Sequence, residues 1–264
     1  MIVDIHQHLG WMPVVSAQGV SSVAENRRRR MEFMDRWGID QAVILPSNGV
    51  PVPRGHADRR VQNDLIADYI GGAPRRFPAG FGTVHPADGD AAVEEVRRCL
   101  TDIGFAGIVW HHHFLGTAID HPGMHDLLDE VQSLGGIAAI HVVAESTLEA
   151  PWRLEGLAEA HPDLQFLALD AFSSFAHASW TIQIARRRPN IVFDTGMMAS
   201  VAHQVVDFVD QVGADRLLLG TDYYCEPELF GQPFPLIEVR DSLGLPSEVI
   251  ASVLGGNALR LLGL

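Results

Sequence analysis

Eight short apolar runs punctuate this 264-residue chain: MIVDI, QAVILP, FPAGFGTV, GFAGIVW, GIAAIHVV, LQFLALD, NIVFDT and DRLLLGTD. They are nearly continuous in apolar residues rather than alternating, the pattern of strands whose two faces are both covered by crossover helices. Segments of helical spacing lie between them. In AAVEEVRRCL, Val93, Val96 and Leu100 share one side; in MHDLLDEVQSL, Leu127, Leu128, Val131 and Leu134 do. Eight strands alternating with helices close a parallel barrel, and the length matches the typical requirement of about 250 residues. The expectation is an α/β fold, a single (β/α)8 TIM-type barrel spanning residues 1–264, with GGNALRLLGL as a closing loop and short C-terminal helix. An open doubly wound sheet would want a nucleotide loop, and no GxGxxG or GxxxxGK[ST] follows any predicted strand.

A formal net charge of −14 argues against nucleic acid or anionic membrane as partner, since both demand a basic surface. The run NRRRR (Asn26 to Arg30) reads as a solvated helix face. Cys99 and Cys225 offer no disulfide framework and no cysteine-built zinc module, which fits a reducing cytoplasm. Neither a signal peptide nor an apolar stretch of about 18 residues is visible, so a soluble cytoplasmic protein is expected. The stretch from Leu45 to Arg60, rich in proline and glycine, reads as an active-site loop or lid rather than a domain boundary.

In such a barrel the chemistry gathers where strands end. His6 and His8 end the first run, His85 follows the third, and His111, His112 and His113 end the fourth. His141 ends the fifth, Asp170 the sixth, Asp194 the seventh and Asp222 the eighth. Residues two apart on a strand point to one side, so His6 and His8 present two imidazoles together. Imidazole and carboxylate are the ligands of zinc or a similar divalent ion, and His6, His8, His141 and Asp222 form a candidate metal set. Within the HHH run, His111 and His113 can face inward together only if His112 faces away.

These residues resemble the amidohydrolase superfamily, in particular the amidohydrolase-2 group of decarboxylases, hydratases and hydrolases typified by aminocarboxymuconate semialdehyde decarboxylase. The resemblance rests on DIHQHLG, GFAGIVWHHHFLG, AIHVVAE, LLLGTDYY and GGNALRLLG and covers essentially the whole chain. It implies the same metal set, His6, His8, His141 and Asp222. Two-metal members also use a carboxylated lysine after the fourth strand; GIVWHHH offers none, so one divalent metal is implied, zinc first and manganese second. Members often carry a histidine of an HxGG-like motif after the sixth strand, where LALDAFSS places Asp170. His177, in FSSFAHASW, is near enough in sequence to compensate, although a surface or helix-packing role is the plainer reading.

The leading expectation is hydrolysis of a small ester, lactone or amide by a metal-bound water. Asp222 accepts its proton, Asp170 shares the base role or orients substrate, and His111 or His113 stabilises developing negative charge. The first alternative is nonoxidative decarboxylation or hydration of an unsaturated or aromatic carboxylic acid. The second is a barrel that keeps the metal without catalysis. Arg54, Trp11, His85 and Tyr223 are the expected substrate contacts, with Phe114 as a further apolar wall. The partner is a small-molecule substrate, and a homodimer is the assembly frequent among such proteins.

Overall fold

The computed structural model describes residues 1–10, 22–47, 49, 51–143, 146–198, 203–226 and 228–264. The elements run β1 (Val3–Leu9), α1 (Val23–Trp37), β2 (Gln41–Pro46), α2 (His56–Gly71), β3 (Phe81–Gly82), α3 (Asp90–Arg97), β4 (Gly107–Trp110) and α4 (His112–Leu115). They continue with α5 (Met124–Ser133), β5 (Ile137–His141), α6 (Pro151–Ala160), β6 (Gln165–Leu169), α7 (Phe175–Arg187), β7 (Ile191–Asp194), α8 (His203–Val212) and β8 (Leu217–Leu218). Two short strands, β9 (Tyr223–Cys225) and β10 (Glu228–Leu229), then precede α9 (Phe234–Ile237), α10 (Ser247–Ala251) and α11 (Asn257–Leu262).

Strands β3 to β8 pair in parallel in chain order, and β1 pairs in parallel with β2. A parallel bridge between Ile44 and Gly80 joins the two arcs. On the other side, the Ile5 N–H donates to the Leu219 carbonyl at 2.9 Å and closes the ring. The eight expected runs are the eight strands of a TIM-type barrel. Alternation along each strand decides which residues fill it: Val43, Leu45, Val109, Ala139, Leu167, Leu169 and Leu218 pack inside with Val3 and Ile5. Their neighbours Ile44, Ile108, Trp110, Ile140, Phe166 and Ala168 pack outward under the helices. Ala258 of α11, with Leu259 and Leu262, seals the inner core, as the closing sequence suggested. Among the described residues no helix is long and apolar enough to cross a membrane.

Two local expectations need correction. The stretch from Leu45 to Arg60 is not irregular throughout, because β2 extends to Pro46 and α2 begins at His56. The arginine run is only partly a solvated face. Ser22 Oγ caps α1 by accepting the Glu25 N–H, and Arg28 lies exposed between Glu25 and Glu32. Arg30, two residues on, is wholly buried: it donates to Tyr69 Oη at 3.0 Å, Gln7 Oε1 at 3.0 Å and the His8 carbonyl at 2.6 Å. Its guanidinium also lies 5.4 Å from the centre of the Tyr223 ring, so α1 is tied to β1 beside the two histidines.

Arg30→Met fills the volume but strips donors from buried acceptors, and should cost about 3 kcal/mol or more in urea-unfolding free energy. A loss within about 0.5 kcal/mol, the range of a surface change, would restore the solvated-face reading.

Candidate active site

The pairing of β1 with β2 shifts register between Asp4 and Gln7, so a bulge separates the lower strand from its end. Below it, Val3 and Ile5 fill the barrel; above it, His6 and His8 turn into the mouth. Asp4 leaves that face and ties β1 to the end of β8, accepting from the Thr221 N–H at 3.0 Å, Thr221 Oγ1 at 2.6 Å and Gln7 Nε2 at 2.7 Å. Burial lifts its carboxyl to about 6 despite these donors. In β4 and β5 the inward alternation simply continues, from Val109 to His111 and from Ala139 to His141.

The histidine tips converge. His6 Nε2 lies 2.8 Å from His8 Nε2, which lies 3.4 Å from His141 Nε2. Asp222 Oδ1 is 3.3 Å from both His6 Nε2 and His8 Nε2. The outer ring nitrogens are fixed elsewhere: His8 Nδ1 donates to the Pro46 carbonyl and His141 Nδ1 to the Trp110 carbonyl, each at 3.0 Å. A carbonyl only accepts, so neutral His8 and His141 must both turn Nε2 lone pairs inward. Burial, first of all, pulls His8 down to about 4 and His141 well below the ordinary histidine range, which keeps them neutral. His6 differs. Burial opposes its charge, but Asp194, Asp170 and Asp222 outweigh that effect and raise it to about 10. Facing lone pairs at these separations repel unless a positive charge lies among them, and the donor set suits a divalent cation. His6, His8 and His141 present ligand atoms all within 4.8 Å of one another.

Asp194, buried at the end of β7, orients the set. Its Oδ2 accepts the His6 Nδ1 proton at 2.6 Å, while Oδ1 accepts the Asp170 and Gly196 N–H groups at 2.7 and 3.1 Å. A second grouping of His6, Asp170 and Asp194 meets at that outer edge of the His6 ring, where Asp194 already takes the proton. Gly196 and Gly220 pack so close that a Cβ on either would collide with the Asp194 carboxylate or its neighbours. Asp170, Met197 and Asp222 hold left-handed backbone at φ 61°, 49° and 56°, and all three line one cavity. Non-glycine residues rarely adopt this conformation, and such strain collects at functional sites.

That cavity has a volume of about 170 Å³. His111, His113 and Glu149 form one side, Asp170 and Asp222 another, with Phe114, Val143, Met197 and Tyr224 as apolar walls. Glu149 Oε1 accepts from His111 Nδ1 at 2.7 Å and from the His113 N–H at 2.9 Å. Asp170 Oδ1 and Glu149 Oε2 are both buried without a hydrogen-bond partner. Burial and the adjacent Asp222 push the Asp170 carboxyl well above the usual carboxylate range. His111 and His113 do share the cavity, but through the turn into α4 rather than as a strand. His112 is buried against Thr117 and lowered to about 3, chiefly by desolvation.

Several expected substrate contacts stand elsewhere. Tyr223 stacks on Phe33 at 3.7 Å; Tyr224, paired with His8 across β1 and β9, faces the cavity instead. The expectation misses by one residue, which on a strand reverses the face. Arg54 is 70% exposed at its side chain and bound to Asp58. His85 caps a turn, its Nδ1 accepting from the Ala87 N–H while Nε2 donates to the Leu115 carbonyl, and it does not line the cavity. His177 sits in the first turn of α7 beside Ser174. Trp11 lies outside the described residues. Glu149 and Arg30 were missed, the first for want of any motif, the second because it hides in a charge run. Asp194 carried a visible signal as a strand-end acid.

The amidohydrolase family model matches residues 3–264, and the chain belongs to that family. It is 25% identical to 2-amino-3-carboxymuconate-6-semialdehyde decarboxylase of Dictyostelium discoideum, over 89% of this chain and 76% of that one. It is 24% identical to gamma-resorcylate decarboxylase of Rhizobium radiobacter, over 74% and 75% of the two chains. The fold matches 5-carboxyvanillate decarboxylase of Novosphingobium aromaticivorans, complexed with manganese and 4-hydroxy-3-methoxy-5-nitrobenzoic acid, with a TM-score of 0.71 and 18% identity over 94% of this chain and 85% of that one. These relatives remove carboxyl groups, which overturns the expectation of ester, lactone or amide hydrolysis. The sequence contains no lysine at all, so a carboxylated-lysine bridge is chemically excluded.

Asp194→Asn should weaken divalent-ion binding about 10–100-fold in a chelator competition, because the His6 ring loses its orienting acceptor. Unchanged affinity would show that Asp194 is a spectator.

Proposed function

We propose that this chain is a metal-dependent enzyme that removes a carboxyl group, without an oxidant, from a small unsaturated or aromatic acid. The observation that carries the reading is Asp170, a buried acid with an unpartnered oxygen, set beside Asp222 in a largely apolar cavity. Replacing a carboxyl group by hydrogen requires a proton delivered to carbon, and a carboxylic acid kept protonated by burial is suited to deliver it. The decarboxylase relatives support the same choice.

In this reading His6, His8, His141 and Asp222 hold one divalent ion, zinc or manganese by donor type, with the manganese of the Novosphingobium enzyme favouring the latter. The ion supplies Lewis-acid polarisation of the substrate's oxygen atoms. Asp170 gives its proton to the carbon that bears the departing group, and that carbon keeps the electron pair of the broken bond as carbon dioxide leaves. The Asp170 carboxylate regains a proton from solvent before the next turnover. His111, its tautomer fixed by Glu149, turns Nε2 toward the substrate and orients it. Phe114, Val143, Met197 and Tyr224 exclude water from the reacting carbon. A cavity of about 150 Å³ accepts benzene, so about 170 Å³ suits a single small ring or a short unsaturated chain.

Metal-reconstituted protein incubated with aromatic and unsaturated acids in deuterium oxide should release carbon dioxide and place deuterium at the vacated carbon. Asp170→Asn should lower kcat about 10²–10⁴-fold while retaining the ion; His141→Ala should lose the ion as well. Wild-type turnover by Asp170→Asn would reject the assigned proton donor, and no carbon dioxide from any acid would reject the reaction.

A further inference from the structure

Two arginines are buried among the described residues, and the fold treats them differently. Arg30 is bonded to Tyr69, Gln7 and the His8 carbonyl. Arg59, in the first turn of α2, is 8% exposed; its backbone N–H donates to the Gly55 carbonyl, but its guanidinium makes no hydrogen bond with any described residue. Its ion-pair partner Asp88 holds Oδ2 3.7 Å away, beyond hydrogen-bond reach, and that oxygen is itself buried without a hydrogen-bond partner. Asp58, the other acid that acts on Arg59, is engaged: it accepts from the Arg54 backbone and side chain. Arg59 lines a cavity of about 220 Å³ with Gly49, Pro51, Val52, Gln62 and Phe114. Phe114 is also a wall of the candidate catalytic cavity, so the two spaces lie side by side.

A largely buried guanidinium whose donors no protein group uses faces the cavity, and its planar fork matches the paired oxygens of a carboxylate or phosphate. The chain is otherwise hostile to anions, with a net charge of −14 and no lysine. A largely buried cation turned into a cavity of such a molecule marks one place where an anion is favoured. We propose that the Arg59 cavity is an oxyanion site, taking a carboxylate or phosphate group on the guanidinium. The site stands whether or not the decarboxylase reading holds. The group belongs either to a molecule whose reacting end lies across Phe114 or to a free small anion.

Isothermal titration of the metal-loaded full chain with malonate and with inorganic phosphate tests the site without turnover. Wild type and Arg54→Gln should each show one saturable event, and Arg59→Gln should lose about tenfold or more in affinity. Should Arg59→Gln fail to fold, Arg59→Lys keeps the charge but not the fork, and should weaken binding in a folded protein. No saturable binding by wild type, or affinity unchanged in the Arg59 variants as binding to the metal alone would give, overturns the site. Once the site is established, a rise in KM confined to substrates with a second acidic group assigns it to substrate; equal KM values with lost phosphate binding assign it to a free anion.

Discussion

Three imidazoles turning their Nε2 edges toward one point constitute the constraint on which this barrel mouth depends. Left without a cation, two of those edges would set lone pair against lone pair at 3.4 Å. The protein holds them there nonetheless, by binding the opposite edge of each ring: Asp194 takes His6, the Pro46 carbonyl takes His8 and the Trp110 carbonyl takes His141. Those acceptors belong to the ends of the barrel's own strands β7, β2 and β4, so the rings inherit the rigidity of the barrel. Preorganisation of this kind suits the three rings to a divalent ion without any loop having to reorganise.

Strain and close packing converge on the same few ångströms. The left-handed backbone at Asp170 and Asp222 swings both carboxylates off their strand directions and into the cavity, and the missing side chains of Gly196 and Gly220 make room for Asp194 behind them. In the proposed reading Asp222 is a metal ligand, while burial and the charge of Asp222 shift Asp170 toward its protonated form. Two identical functional groups thereby differ in character from position alone. The arginines repeat the pattern: Arg30 is consumed by structure, while Arg59 is left open beside the site.

The barrel was legible because its grammar is local. Eight nearly continuous apolar runs separated by helical spacing point to a covered parallel sheet, and His-x-His on a strand to a shared direction. The acids and histidines at strand ends were legible for the same reason. What escaped depends on phase and on partners distant in the chain. Tyr223 and Tyr224 exchange faces with a single step, and no pattern in the sequence announces which step β9 takes.

By itself, then, the sequence determined the strand count, the metal-binding residue types and the absence of any lysine bridge, because each follows from composition or short-range periodicity. Only the tertiary structure decided that Glu149 reaches His111 across 38 positions, that Arg30 is swallowed while Arg28 is solvated, and that Arg54 lies outside the cavity. Burial and hydrogen-bond partnership are properties of the closed barrel, created when distant segments meet, and nothing in a run of neighbours encodes them locally.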